Sequence, residues 1–213
     1  MNIDHLTVIY FVALVVAVIL HEIAHGVVAL WFGDDTAKRA GRLTLNPVPH
    51  IDPFGSIILP AMGALTGVPV FAWAKPVPVN PARLRHQRRD MLYVSLAGPG
   101  TNFALAFVAA LVARWQFDSL RFFEGTIEQL PLRVSIPLLF AAVNLLLGVF
   151  NFLPIPPLDG ASMIERILPR DQLAGWYKFR PYGMLVLLLI LFTGTLGRII
   201  TPFLEHLYRF VLR

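Results

Sequence analysis

The 213-residue sequence contains no cysteine, which excludes disulfide bonds, thiolate metal sites and cysteine nucleophiles. Charged residues are also scarce, because Asp, Glu, Lys and Arg make up 15% of the chain against roughly 25% in an average globular domain. Hydrophobic residues make up 56%, and the mean hydropathy is +0.66. This composition excludes a disordered chain, a collagen-like repeat and an ordinary soluble enzyme. Any metal site must use His, Asp or Glu.

Four apolar segments are long enough to cross a bilayer as helices. A hydrocarbon core of roughly 30 Å needs about 20 helical residues, and the segments are Leu6–Trp31, Met91–Ala113, Val134–Phe152 and Tyr182–Ile200. A fifth segment, 54–73, is interrupted by prolines and glycines, which make a straight helix in lipid costly. The sequence therefore predicts an all-α polytopic membrane protein with four transmembrane helices and one re-entrant or partly β segment.

The basic residues predict how the chain is oriented. Three Lys or Arg residues lie in 32–54, five in 71–90 and four in 155–181, whereas 114–134 and 198–213 hold three each. If segment 54–73 returns to its own side, the first three groups share one compartment, with 12 basic residues against 6. The positive-inside rule identifies that compartment as the cytoplasm.

The first apolar segment contains the sequence HEIAH, in which His21 and His25 are one helical turn apart. Both side chains project from one face of a helix and can bind a single Zn²⁺. Glu22 is displaced by about 100° from His21 and can act as a general base toward a water molecule at the open coordination position. The same five residues in a soluble helix are often ordinary surface residues, but ionisable side chains at membrane depth are functional candidates because their burial is costly.

Two histidines leave a catalytic zinc site short of a third protein ligand. The third long segment ends in NFLPIPPLDG, whose prolines stop the helix and allow Asp159 to turn back toward the bundle. Asp159 could instead be a turn residue that is hydrogen-bonded to its own backbone. His50 and Asp52 also carry suitable donor atoms, although both lie in a proline-rich loop where solvated side chains are more usual.

These motifs together resemble the site-2 protease family of intramembrane zinc metalloproteases, and the resemblance covers most of the chain. HEIAH is similar to the family's HExxH helix, NFLPIPPLDG to its Asn-x-x-Pro-x-Pro-x-Leu-Asp-Gly element, and SLAGPGTN to its small-residue motif. The resemblance implies that Glu22 is the catalytic base. It also implies one Zn²⁺ per chain, held by His21, His25 and Asp159.

By this resemblance, the function to expect is that of an intramembrane endopeptidase, which hydrolyses a peptide bond in or near a transmembrane segment of a membrane-protein substrate. Residues 1–213 are expected to form a single membrane-embedded metalloprotease core without PDZ or CBS domains. The expected location is the lipid bilayer of a prokaryotic cell membrane, with the active site nearer the cytoplasmic side. Two alternatives are a non-proteolytic zinc-binding membrane scaffold and a metal or proton transporter, in which buried His and Asp would form a pathway.

Several polar residues are secondary candidates. Asn102, Asn144 and Asn151 are expected to bind substrate or to support the site, because asparagine in an apolar setting hydrogen-bonds across helices. The alternation of residues in Arg42–Leu45 predicts either a short strand, to which an extended substrate could pair, or a plain loop. Nucleic acid is not an expected partner, since the basic residues are scattered and a Gly-rich phosphate loop is absent.

Overall fold

The computed structural model describes residues 5–58, 62, 74–120 and 129–213. The α-helices in these ranges are α1 (His5–Trp31), α2 (Thr36–Arg39), α3 (Gln87–Asp118), α4 (Leu132–Phe152), α5 (Asp159–Ile167), α6 (Leu173–Phe179), α7 (Gly183–Phe192) and α8 (Thr195–Val211). Short 3₁₀ turns and one π-helical turn connect some of them. No β-strand occurs in the described ranges, and the predicted all-α membrane architecture is confirmed.

Three of the helices, α1, α3 and α4, are long and apolar enough to cross a membrane, as the sequence predicts. The fourth predicted crossing, Tyr182–Ile200, is broken instead of continuous. The chain bends by 67° between Leu173–Phe192 and α8. Gly194 has a positive φ of 69° at the break, a backbone conformation that glycine adopts at little cost. The Thr193 hydroxyl donates to the Leu189 carbonyl at 2.7 Å and so satisfies one of the last carbonyls of α7.

Helix α3 lies at the centre of the bundle and contacts α1, α4, α5 and α8. Small side chains allow these helices to approach closely, as is usual where lipid on the outside is as apolar as the interface. The buried alanines of the α3–α4 interface are Ala109, Ala110, Ala113, Ala141 and Ala142. The two helices that carry His21, His25 and Asp159, α1 and α5, both pack against α3.

The distribution of polarity is that of a protein surrounded by lipid. Phe11 on α1 and Phe107 on α3 are 64% and 63% exposed, whereas Asn102 and Asn144 are fully buried. Polar groups inside a bilayer need protein partners because lipid offers none. The buried asparagines are therefore expected to bond with each other or with the backbone.

The chain between α1 and α3 leaves and returns on one side of the bundle. The Arg85 N–H donates to the Phe32 carbonyl at 3.1 Å, which joins the residues that follow α1 and precede α3. The Lys75 N–H likewise donates to the His50 carbonyl at 2.9 Å. Whether segment 54–73 is re-entrant or partly β lies largely outside the described residues, since only Met62 and the turn Pro53–Ile58 fall within them.

Of the two alternatives predicted for Arg42–Leu45, a short strand or a plain loop, the structure shows the loop. Side chains in and after it form local hydrogen bonds that compete with a sheet ladder. The Thr44 hydroxyl accepts from the Asn46 N–H, and the Asn46 side chain accepts from the Val48 N–H. The side chain of Arg42 turns inward and bonds to the backbone of residues 75 and 76.

Candidate metal centre

The side chains of His21, His25 and Asp159 meet at one point, although Asp159 is more than 130 residues away in the chain. The two Nε2 atoms lie 3.0 Å apart. Asp159 Oδ2 lies 3.0 Å from His21 Nε2 and 3.2 Å from His25 Nε2. Ligands at about 2.0–2.2 Å from a tetrahedral zinc ion are roughly 3.3–3.5 Å apart, so the three atoms are spaced almost as one zinc ion requires.

A chain of hydrogen bonds fixes which nitrogen of His21 carries the proton. The Phe140 carbonyl can only accept, so the Asn144 amide donates to it at 2.9 Å. The remaining oxygen of Asn144 accepts from the Asn102 amide at 2.9 Å. Asn102 Oδ1 therefore faces His21 Nδ1 and accepts a hydrogen bond from its N–H at 2.6 Å. Consequently, His21 Nε2 is left with a lone pair.

The same reasoning applies to His25, whose Nδ1 lies 2.6 Å from the Val94 carbonyl oxygen. A carbonyl oxygen only accepts, so Nδ1 is the protonated nitrogen and Nε2 carries a lone pair. Histidine ligands of zinc commonly donate their other N–H to a carbonyl or carboxylate in this way. Both imidazoles are therefore held in the tautomer that can bind a metal ion.

The convergence leaves three acceptor atoms without a hydrogen-bond donor between them. Asp159 Oδ2 is buried and has no hydrogen-bond partner among the described residues. Three lone pairs so close together repel each other unless a cation lies among them. The donor set of two imidazoles and one carboxylate is one that zinc binds, and it leaves a fourth coordination position open. The residues therefore fit a catalytic zinc ion.

Gly98 provides the space beside the histidines. A Cβ atom at this position would lie closer than 3.0 Å to Nε2 of both His21 and His25. The absence of a side chain thus allows α3 to pack directly against the HEIAH turn of α1. Within the small-residue stretch SLAGPGTN, Gly98 is the glycine that this close packing requires, while Gly100 faces open space.

Asp159 is positioned by the tight reversal between α4 and α5. Pro154, Pro156 and Pro157 interrupt the helical path after α4, and Asp159 is the first residue of α5. Gly160 allows the reversal, because a Cβ there would lie closer than 3.0 Å to the carbonyl oxygens of Phe152 and Leu153. The start of α5 is thereby pressed against the end of α4, and Asp159 faces the histidines.

Glu22 is half-buried and is not part of the three-residue group that could hold a metal ion. One of its carboxylate oxygens, Oε2, accepts the backbone N–H of Val77 at 2.7 Å. This contact joins α1 to the extended segment before α3. Motif reasoning identifies Glu22 but not Val77, because every residue other than proline has a backbone N–H and the sequence does not distinguish one from another.

The remaining candidates lie away from the three donors. His50 is buried and its Nε2 bonds to the Thr44 carbonyl at 3.0 Å, while Asp52 accepts the N–H groups of Phe54 and Gly55. Neither belongs to the metal-binding group found among the described residues. Asn151 donates to the Leu147 carbonyl of its own helix at 3.1 Å. Of the three asparagines, Asn102 hydrogen-bonds to His21 at Nδ1 and Asn144 hydrogen-bonds to Asn102.

Replacing Asn102 with leucine should weaken zinc binding by about 10- to 100-fold, which is the usual cost of losing an outer hydrogen bond to a metal ligand. The substitution removes the acceptor for His21 Nδ1–H and leaves the Asn144 oxygen unpaired. Competition with a chromogenic chelator measures the affinity. Ser135→Ala is the control for the loss of a buried polar side chain, because the Ser135 hydroxyl is bonded to the Leu130 carbonyl instead of to a histidine. Equal zinc affinities in the two variants would contradict the role given to Asn102.

The fold and the site define a membrane-spanning protein in which two histidines and one carboxylate form a group that could hold a metal ion. The model of peptidase family M50 matches residues 9–193. The chain therefore belongs to peptidase family M50, the site-2 protease family. No solved structure matches the chain.

The similar proteins described below are all named as zinc metalloproteases. The chain is 38% identical to "Putative zinc metalloprotease YwhC" of Bacillus subtilis (strain 168), over 91% of this chain and 84% of that protein. It is 31% identical to "Putative zinc metalloprotease Rip2" of Mycolicibacterium smegmatis, over 84% of this chain and 64% of that protein. For Rip2 of Mycobacterium tuberculosis (strain ATCC 25618 / H37Rv), identity is 32% over 85% of this chain and 66% of that protein. The chain thus spans about two thirds of the length of the Rip2 proteins.

Proposed function

We propose that this protein is an intramembrane zinc endopeptidase, which hydrolyses a peptide bond in or near a transmembrane segment of a membrane-protein substrate. The observation that carries the proposal is the convergence of donor atoms from His21, His25 and Asp159, of which Asp159 Oδ2 is buried without a hydrogen-bond partner among the described residues. Membership of a peptidase family and the names of the relatives support the same conclusion.

Each residue of the site has a defined task in this mechanism. When bound, zinc supplies a Lewis acid that polarises the scissile carbonyl and lowers the pKa of a water molecule. His21, His25 and Asp159 hold that ion with three donor atoms. Glu22 takes the proton from the attacking water and delivers it to the leaving amine. Asn102 and Val94 keep the two imidazoles in the tautomer that leaves Nε2 free.

The depth of the site supports a substrate that is itself embedded in the membrane. His21 is 16 residues from the first residue of α1 and 10 from the last, or about 24 Å and 15 Å along the helix axis. This position is within the hydrocarbon core and closer to the end of α1 that leads into the basic segments. By the positive-inside rule that end is cytoplasmic. A helical substrate hides its carbonyls in hydrogen bonds, so it must unwind locally before it is cleaved.

The first test is the zinc content of the detergent-purified protein and its Asp159→Ala variant, each purified without chelator. We expect about one zinc per chain in the wild type and strongly reduced zinc in the variant, because two histidines alone form an incomplete site. Elemental analysis measures both values. Folded wild-type protein without zinc would contradict the proposal.

The second test separates proteolysis from the alternative functions. Zinc-loaded protein is reconstituted into sealed liposomes with a panel of single-span substrate proteins, and cleavage and metal flux are both measured. Cleavage that requires zinc supports the proposal. Metal flux without cleavage would indicate a transporter, and bound zinc with neither activity would indicate a scaffold.

A further inference from the structure

The contact between Glu22 and Val77 connects the HEIAH helix to a segment of unusual composition. Residues 75–79 read KPVPV and lie outside any helix or strand. Pro76 and Pro78 have no N–H and a fixed φ, so the N–H of Val77 is the one backbone donor between Lys75 and Val79. That N–H points at Glu22 Oε2, at 2.7 Å. The segment is therefore a stiff strip of backbone with a single donor directed at the carboxylate.

Arg42 holds this strip from the other side. Its side chain is buried, and its Nη2 donates to the Lys75 carbonyl at 2.6 Å and to the Pro76 carbonyl at 3.3 Å. These are the two carbonyls immediately before Val77. No carboxylate pairs with Arg42 among the described ion pairs, so the buried cation is directed at backbone oxygens. The Lys75 N–H is fixed separately by the His50 carbonyl, at 2.9 Å.

Gly26 allows the strip and the Arg42 loop to pack on α1. It lies four residues after Glu22, and hence on the same face of the helix. A Cβ there would lie 3.1 Å from Val77 Cγ1 and closer than 3.0 Å to Leu43 Cδ2. The side chains of Leu43 and Val77 therefore occupy the space that a larger residue would need. Glu22, Val77 and Arg42 form one packed unit beside the metal centre.

We propose that Arg42 is a positioning residue: by fixing the carbonyls of Lys75 and Pro76, it aims the Val77 N–H at Glu22 and so sets the orientation of that carboxylate. The role given to Glu22 rests on the proposed peptidase function, whereas the hydrogen-bond unit does not. Arg42 contacts none of the three metal donors. Its loss should therefore disturb the base and leave the metal affinity intact.

Amide hydrogen–deuterium exchange tests the unit without any need for a substrate or for enzyme activity. In the full-length protein in detergent, the Val77 amide should be protected, and its signal is easily isolated because residues 76, 78 and 81 are prolines. Glu22→Ala and Arg42→Gln should each remove this protection. Glu22→Gln should keep it, since a side-chain amide oxygen still accepts an N–H. Asp159→Ala is the control and should leave it unchanged. Unaltered Val77 exchange in Arg42→Gln would overturn the proposal.

Kinetics with a cleaved substrate gives the second readout. Arg42→Gln should lower kcat by about 10- to 100-fold, the scale expected when a catalytic group is displaced by about an ångström, with KM and zinc affinity nearly unchanged. Arg42→Lys should recover part of kcat, because an ammonium group can still donate to one carbonyl.

If Arg42→Gln fails to fold, Val77→Pro removes the same N–H and Val77→Ala retains it. Equal kcat in those two variants would overturn the proposal. A wild-type protein that cleaves nothing would instead overturn the proposed function, and the exchange result would still decide the role of Arg42.

Discussion

Glu22→Gln should lower the rate of peptide hydrolysis by about 10²- to 10⁴-fold, the range attributed to a single general base, and should leave one zinc per chain bound. Glutamine has nearly the same shape as glutamate and can still accept the Val77 N–H, so the packing around the site is retained. It cannot take a proton from water. The rate of cleavage of a reconstituted single-span substrate and the zinc content of the same sample measure the two effects together.

The informative comparison is with Asp159→Ala, which should lose both zinc and activity. The zinc content thus distinguishes a catalytic base from a metal ligand. Loss of the base lowers hydrolysis alone, whereas loss of a ligand lowers hydrolysis and zinc binding together. Undiminished hydrolysis by Glu22→Gln would exclude Glu22 as the base. Loss of zinc from this variant would mean that Glu22 contributes to metal binding in a way that the geometry does not include.

Most of the helical architecture could be predicted from the sequence because bilayer thickness dictates it. The predicted segments Leu6–Trp31, Met91–Ala113 and Val134–Phe152 correspond to α1, α3 and α4; the ends at Trp31 and Phe152 coincide, and the other ends differ by a few residues. The pairing of His21 with His25 is equally local, since a spacing of four residues fixes their common face. Physical reasoning alone left Asp159 open between a ligand and a turn residue, and the resemblance of its motif to a known family favoured the ligand.

The features that the sequence did not reveal involve the backbone or a break in a helix. The Val94 carbonyl and the Val77 N–H have no signature, because almost every residue carries the same groups. The break at Thr193–Gly194 lies inside the predicted crossing Tyr182–Ile200, whose overall hydropathy does not show that the Thr-Gly-Thr sequence divides it. At Arg42–Leu45, alternation left a strand and a loop open, and local side-chain hydrogen bonds favour the loop that the structure shows.

Helix α3 contacts both parts of the candidate metal centre. Its Asn102 and Val94 orient the two histidines of α1. Its Arg88 donates from Nε to the Arg166 carbonyl at 2.8 Å, and so holds the far end of α5, the helix that begins with Asp159. Donor residues from two distant parts of the chain are thereby held against one helix, α3, as a preorganised metal site requires.

Gly98→Ala should abolish zinc binding, whereas Gly100→Ala should leave it intact. The new methyl group at position 98 would enter the space beside both Nε2 atoms, closer than 3.0 Å to each, and either the imidazoles or the metal must be displaced. At position 100, two residues further along the same helix, the methyl group meets nothing within 4 Å. Both substitutions raise helix propensity by up to about 1 kcal/mol, so general effects on helix α3 are matched. Chelator competition and thermal unfolding of the two variants provide the test. Retained zinc affinity in folded Gly98→Ala would mean that α1 and α3 can separate enough to admit the methyl group, and the close packing at this glycine would then not be required for the metal centre.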